Sequence, residues 1–207
     1  MTDEHEHHDH GDHDHDEHEH HHTFDWQGEL LALREAARHY YEDQFDWRGH
    51  QPPEGYEGPK YFDPDPAWRL AARLDSTVAG AGEHAEIATS TGQVRHMHVA
   101  GDLVFEALGA EHRLTSFVSQ GPDGAEVLFV PFRDATSGHE SYGAGRYVEV
   151  PLDPDAPESD PLELDFNYAY NPSCVYSAAY DCPYPPRQNQ LMIPVRAGEK
   201  LPYGEMP

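Results

Sequence analysis

Hydrophobic and polar residues follow a helical period over one segment near the N-terminus. Between residues 25 and 45, apolar side chains recur at alternating steps of four and three, which places them on one face of an α-helix. The residues on this predicted face are Trp26, Leu30, Leu33, Ala37, Tyr40 and Gln44. Thr23 or Asp25 can cap the first turn with a side-chain oxygen. We therefore expect one helix at about 25–45, followed by a proline-rich loop over 49–66.

From residue 68 onward the apolar period changes to two, which is typical of β-strands. The first predicted strand, 68–75, turns four apolar residues to one face: Trp68, Leu70, Ala72 and Leu74. Further strands are expected at 85–90, 93–99, 102–108, 112–119, 126–133, 145–151, 162–167 and 191–196. Gly101-Asp102 and residues 121–124 have the composition of hairpin turns. About nine short antiparallel strands after one helix predict a mainly β domain, as a sandwich or a partly closed barrel.

Residues 1–22 differ in composition from the rest, because histidine alternates there with aspartate and glutamate. No aliphatic residue lies between Thr2 and Thr23, so this tail cannot bury a core and is expected to be disordered. Its histidines are His5, His7, His8, His10, His13, His15, His18, His20, His21 and His22. Imidazole and carboxylate groups are ligands for Zn, Ni, Co and Cu, so we expect loose and unselective binding of these ions. A purification tag and a solvated tail without a metal role are the alternatives.

The net charge of −26 belongs to the rest of the chain as well as to the tail. Nine of the 39 acidic residues lie in the tail, so residues 23–207 keep 30 acidic side chains against 13 basic ones. Dense carboxylates repel one another unless salt screens them, and the composition predicts a halophilic protein, with an ordinary acidic protein as the alternative. The charge argues against nucleic acid and anionic membranes as partners. With no apolar leader or membrane span in view, we expect a cytoplasmic protein with a single domain at 23–207.

Candidate chemistry is concentrated in two polar, turn-rich segments. The first is FRDATSGHESYGAGRYVEVP, residues 132–151, in which Asp134, Thr136 and Ser137 suit a hydrogen-bonded loop. Arg146 would begin the returning strand and, if it points inward, needs a carboxylate or an anionic ligand. Asp165 is the candidate carboxylate. A structural ion pair and a ligand-binding arginine both remain open.

The second segment is LDFNYAYNPSCVYSAAYDCPYPPRQNQLMIPVRAGEK, residues 164–200. Its aromatic and amide side chains suit either a small-molecule pocket or a buried turn. The candidate ligand-binding residues of both segments are Asp134, Thr136, Ser137, Arg146, Asp165, Asn167, Tyr170 and Asn171. Cys174 and Cys182 are small buried side chains, a disulfide, or part of a metal site. His96 and His98 lack the following glutamate of a cupin-like metal motif, so we expect no metal there.

Together, the two segments resemble a family of uncharacterised prokaryotic proteins known as domain of unknown function 1684. The resemblance extends more weakly through residues 58–75 and 90–109, and it excludes the tail. It implies a β-rich fold and supplies no established activity.

Three interpretations of the function follow from these residues. The first is a small-molecule-binding protein whose tail loosely binds divalent transition metals. The second is an enzyme that uses the Arg146, Asp165 and Asn167 region, with Asp165 or Asp134 as acid or base and Arg146 holding an anionic group. The third is a structural or interaction module without pocket chemistry. No nucleophile motif is present, so no catalytic residue is assigned.

Overall fold

The computed structural model describes residues 25–43, 45, 56–121, 123–157 and 159–202. Helix α1 spans Trp26–Asp43 and precedes seven strands. The strands are β1 (Arg69–Asp75), β2 (His84–Ala88), β3 (Val94–Ala107), β4 (Ala110–Gln120), β5 (Glu126–Phe132), β6 (Arg146–Pro151) and β7 (Leu162–Asp165). Short 3₁₀ turns lie at Pro66–Trp68, Phe166–Tyr168 and Ser173–Val175. The histidine-rich tail, residues 1–22, lies outside the described residues.

All seven strands join one antiparallel sheet, in the order β6-β5-β4-β3-β1-β7, with β2 paired to the first half of β3. The two end strands, β6 and β7, lie close to each other, so the sheet nearly closes into a barrel. Its interior is filled by side chains with no exposed surface, among them Leu103, Leu114, Val130, Val148 and Leu164. Each such side chain contributes roughly 1.5–3 kcal/mol by leaving water. The predicted mainly β fold with an N-terminal helix is confirmed, in its partly closed barrel form.

Strand β3 is longer than predicted, because residues 93–99 and 102–108 form one strand rather than two. The register of β3 against β4 shifts between Val99 and Gly101, which marks a β-bulge. Gly101 has a φ of +148°, and the Asp75 carbonyl oxygen lies 2.6 Å from the position that a Cβ atom would take. The glycine therefore serves a bulge and a close backbone approach, and the predicted turn at Gly101-Asp102 is wrong. The actual turn follows at residues 108–109.

The second difference concerns residues 191–196, which form no strand although Leu191 and Val195 are buried in the core. This segment is held by a few backbone hydrogen bonds to residues 133 and 135 and by single side chains, rather than by a continuous strand ladder. Asn189 donates from Nδ2 to the carbonyl oxygens of Thr115 (2.8 Å) and Pro131 (2.7 Å) and accepts the Thr115 N–H at 2.8 Å. The C-terminal segment thus fills the space where β4 and β5 separate.

Helix α1 agrees with the prediction over Trp26–Asp43. Asp25 is the N-cap, because its Oδ1 accepts the Gly28 N–H at 3.1 Å. Thr23, the alternative cap, lies outside the part of the chain that the structure describes.

The face that α1 turns to the barrel keeps Trp26, Leu30 and Ala37 of the predicted face but has Arg34 and Tyr41 in place of Leu33 and Tyr40. Leu30 is buried, but Leu33 is 56% exposed and Tyr40 is 45% exposed. Arg34 takes the place expected for Leu33, since its guanidinium donates to the carbonyl oxygen of Phe62 at 2.9 Å. Polar contacts to the loop below, which the apolar period cannot show, therefore set the rotation of the helix.

Candidate functional site

Arg146 is fully buried at the start of β6 and is bound by protein groups. Its Nη1 donates to the carbonyl oxygens of Ala197 and Glu199 (3.0 Å for Glu199), and its Nη2 donates to that of Val195 at 2.8 Å. The Asp134 carboxylate supplies the negative charge, with Oδ1 at 3.6 Å from Nη2. Burial lowers the pKa of Arg146, but a guanidinium stays protonated in proteins. The arginine therefore ties β6 to the C-terminal segment.

Asp134 organises the loop before β6. Its carboxylate accepts the Val195 N–H at 2.7 Å, the Thr136 hydroxyl at 2.8 Å and the Ser137 hydroxyl at 3.1 Å. The sequence prediction of a hydrogen-bonded loop at Asp134, Thr136 and Ser137 is confirmed by these contacts. These polar groups bond to one another and to the backbone, whereas the buried Nε of Arg146 has no hydrogen-bond partner.

Asp165 does not pair with Arg146, so the predicted partner is wrong. Asp165 ends β7, where its carboxylate accepts the Trp26 Nε1–H at 2.7 Å and lies 3.4 Å from Arg69 Nε. It also accepts the Asn167 backbone N–H at 2.9 Å. The Asn167 amide in turn bonds the backbone of residue 65 in both directions, at 2.9 and 2.8 Å. These two side chains join helix α1, β7 and the loop before β1.

Asn171 belongs to a second buried polar cluster that is centred on Glu199. The Asn171 N–H and the Tyr176 hydroxyl donate to Glu199 Oε2 at 2.8 and 3.0 Å. Glu199 is 3% exposed, and burial raises the pKa of its carboxyl to about 7. No sequence pattern points to Glu199, because a single glutamate in a glycine-containing turn gives no sign of burial.

Tyr170 differs from the other candidates, because it lines a cavity of about 300 Å³ on the outer side of the sheet. We call this cavity the tyrosine groove and define it by six of its lining residues, Arg95, Ser119, Phe129, Tyr147, Glu149 and Tyr170. The Tyr147 ring packs at 4.7 Å from that of Phe129 and at 5.7 Å from that of Tyr170. The groove is thus walled by aromatic rings from β5, β6 and the segment after β7.

The polar groups of the groove are held in place by hydrogen bonds. The Tyr170 hydroxyl donates to Glu149 Oε1 at 2.8 Å, and the Tyr147 hydroxyl donates to a backbone carbonyl at 2.6 Å. Burial raises the pKa of both tyrosines, so they are neutral at physiological pH. Arg95 is half-exposed and donates to the carbonyl oxygen of Asp181 at 2.6 Å. The Arg95 guanidinium, the Glu149 carboxylate and the Tyr170 hydroxyl therefore belong to the same aromatic-walled groove.

A second cavity, of about 360 Å³, lies beside β2 and is lined by other residues, including His84, Asp102 and Thr115. Across β2 and β3 the His84 and His98 rings lie 5.2 Å apart. Within the described ranges, no group of three or more His, Cys, Asp and Glu side chains is placed to hold a metal ion.

Cys174 and Cys182, for which the sequence left a disulfide open as one of three alternatives, are free thiols in the structure. They are neighbours nevertheless, because the Cys174 N–H donates to Cys182 Sγ at 3.3 Å. Cys182 packs in a hydrophobic cluster with Phe129 and Tyr147, and it lines the tyrosine groove.

Comparison with known proteins gives a family and relatives of known structure. A family model described as "Protein of unknown function (DUF1684)" matches residues 54–200. The chain is also similar to an uncharacterised protein from Haloarcula marismortui whose solution NMR structure is known. Their identity is 37% over 85% of this chain and 94% of that one, with a TM-score of 0.63. No curated protein matches. Among the described residues, no helix has the length and apolar character needed to cross a membrane.

Proposed function

This chain belongs to the family of proteins of unknown function DUF1684, and we propose that its folded domain binds a small molecule in the tyrosine groove. The observation that carries the proposal is the cavity of about 300 Å³ with aromatic walls and convergent polar groups. Sites for small molecules have this size and composition, because rings supply contact area and a few polar groups fix orientation. Tyr170, one of the candidates indicated by the sequence, lies in this wall.

The groove suits a ligand with a flat, apolar body and hydrogen-bonding groups at its edge. Phe129, Tyr147 and Tyr170 offer ring surface, and Ser119 offers a hydroxyl from β4. Arg95 is the cation of the lining, and about half of its side chain is exposed and accessible to a polar group of the ligand.

The alternative site, the Arg146, Asp165 and Asn167 region, has less support. The polar contacts of these three side chains are to protein groups, and they line neither of the two cavities. Such side chains hold a fold together and are poorly placed to meet a substrate. The geometry therefore favours binding in the groove over an enzyme built on these residues.

Binding of a panel of small aromatic carboxylates and amides, measured by ligand-observed NMR, tests the proposal. Ser119 faces the groove from β4, and Ser119→Trp fills the groove with a ring. Gln120 is exposed and its side chain points to the other face of the sheet, so Gln120→Trp is the matched control. Compounds that bind the wild type and Gln120→Trp should not bind Ser119→Trp. Equal binding to all three proteins, or no binding to the wild type, contradicts the proposal.

For the tail, we propose loose binding of Zn, Ni, Co or Cu by the ten histidines between His5 and His22. Alternating imidazole and carboxylate ligands support it, since several donors for one ion lie close together along the sequence. The described part of the chain holds no three-ligand metal group, so metal uptake by the full chain would report on the tail.

A further inference from the structure

The chain contains two cysteines, and the fold brings them side by side at the tyrosine groove. Cys182 lines the groove and is 8% exposed, whereas Cys174 is partly exposed in the 3₁₀ turn Ser173–Val175. The Cys174 N–H donates to Cys182 Sγ at 3.3 Å, which places the two residues in direct contact. Nothing else in the proposed ligand site requires this pair.

The surrounding structure fixes Cys182 in particular. Its backbone N–H donates to Ser90 Oγ at 3.0 Å, and its carbonyl oxygen accepts the Ser90 N–H at 2.9 Å. The Ser90 hydroxyl also donates to the carbonyl oxygen of Tyr180 at 3.3 Å. The residues between the two cysteines therefore form a loop that is anchored to the turn after β2, and this loop holds Cys182 beside Cys174.

The two thiols differ in pKa and in exposure, and both differences matter for thiol–disulfide exchange. The hydrogen bond from Cys182, with further ones from Ser90 and Tyr142, lowers the pKa of the Cys174 thiol to about 7. The pKa of Cys182 is raised, first by its contact with Cys174 and then by burial. Cys174 is thus the exposed nucleophile, and Cys182 is the buried thiol that keeps its proton.

We propose that Cys174 and Cys182 form a redox-active dithiol that reduces small disulfides at the edge of the tyrosine groove. The Cys174 thiolate attacks one sulfur of the disulfide, the disulfide bond breaks, and one thiolate leaves while the other half stays bound to Cys174. Cys182 then releases its proton to solvent and attacks the Cys174 sulfur. The second thiolate leaves and a Cys174–Cys182 bond forms. Two protein thiols are oxidised and one disulfide is reduced to two thiols.

The reaction is independent of the ligand proposed above, since it needs only that a disulfide reaches Cys174. The test uses the reduced full chain, native and at neutral pH, with the aromatic disulfide dithiobis-nitrobenzoate as the probe. We expect two equivalents of coloured thiolate per chain, and a protein mass two hydrogens below that of the reduced chain with no adduct. Because the chain has no third cysteine, each equivalent of released thiolate can be assigned to a reaction of Cys174 or Cys182.

Two variants separate the roles. Cys182→Ser should release one equivalent and retain the adduct on Cys174, because no second thiol can displace it. Cys174→Ser should react at least about tenfold more slowly, since its remaining thiol is buried and its pKa is raised.

Either of two results for the wild type overturns the proposal. One is a protein that carries two adducts, which shows two independent thiols. The other is a release of thiolate that occurs only when denaturant unfolds the chain, which shows that neither thiol is accessible. The mass of the wild-type protein after the reaction tests the proposal even if a variant fails to fold.

Discussion

Replacing Arg146 by methionine tests whether the buried guanidinium holds the fold or serves a ligand. Arg146→Met keeps the length and much of the apolar volume of the side chain. It removes the donors to the carbonyl oxygens of Val195, Ala197 and Glu199 and the cation beside Asp134. The variant therefore leaves three buried acceptors and one buried carboxylate without this partner.

The size of the effect follows from those contacts. An unpaired buried acceptor costs about 1–3 kcal/mol, and breaking a buried ion pair by removing one partner costs about 3–5 kcal/mol. Because these contributions overlap at one side chain, we expect a loss of about 4 kcal/mol in the free energy of unfolding. Such a loss is a large fraction of the total stability of a domain, which is about 5–15 kcal/mol.

Urea unfolding followed by circular dichroism measures this loss. For a urea slope of about 2 kcal/mol per molar, the midpoint should fall by about 2 M. Arg196→Met is the matched control, because Arg196 forms a two-pronged ion pair with Glu140 at the surface, at 2.9 Å. That pair is exposed and should contribute less than about 1 kcal/mol. An Arg146→Met variant as stable as the control would refute the structural role and reinstate Arg146 as a ligand-binding residue.

Three further predictions follow from charge and burial. Burial raises the pKa of Glu199 from 4.5 to about 7. The protonated side chain therefore contributes stability that is fully present below about pH 4.5 and is lost as the pH rises through 7. Over this pH range, the wild type should lose about 3 kcal/mol in its free energy of unfolding relative to Glu199→Gln. Urea midpoints at pH 5 and pH 8 measure this difference, and equal changes in both proteins contradict it. The net charge of −26 predicts a thermal midpoint that rises toward molar KCl, and a midpoint independent of salt contradicts the halophilic interpretation. Calorimetry should show zinc binding to the full chain and none to a chain that begins at Thr23, whereas equal uptake by both places the metal outside the tail.

The fold class could be predicted because one helical period and a series of alternating strands are local properties of the sequence. The choice between a sandwich and a partly closed barrel could not be predicted, since it depends on which strands pair. Gly101 shows the ambiguity at residue level: glycine before aspartate is typical of a turn, but here it accommodates a bulge against Asp75. The rotation of helix α1 depends on the hydrogen bonds of Arg34. A pattern of hydrophobic residues cannot reveal such polar contacts.

The candidate residues were predictable as a group, but their pairing was not. Arg146 needs a carboxylate once it points inward, and that carboxylate is Asp134 rather than Asp165. Asp134 lies close because Phe132 pairs with Arg146 in the β5–β6 register, which the sequence alone does not reveal. The groove was harder to find, since Arg95 and Glu149 come from separate strands and meet Tyr170 only in the folded sheet.

The central claim, that the domain binds a small molecule in the tyrosine groove, is tested most directly by mapping amide chemical shifts. The full chain, labelled with nitrogen-15, would be titrated with a compound that binds it. The account predicts that the largest shifts occur at Ser119, Tyr147 and Tyr170, with little change in the Arg146 network. Shifts concentrated at Asp134 and Arg146, with none at the three groove residues, would contradict it.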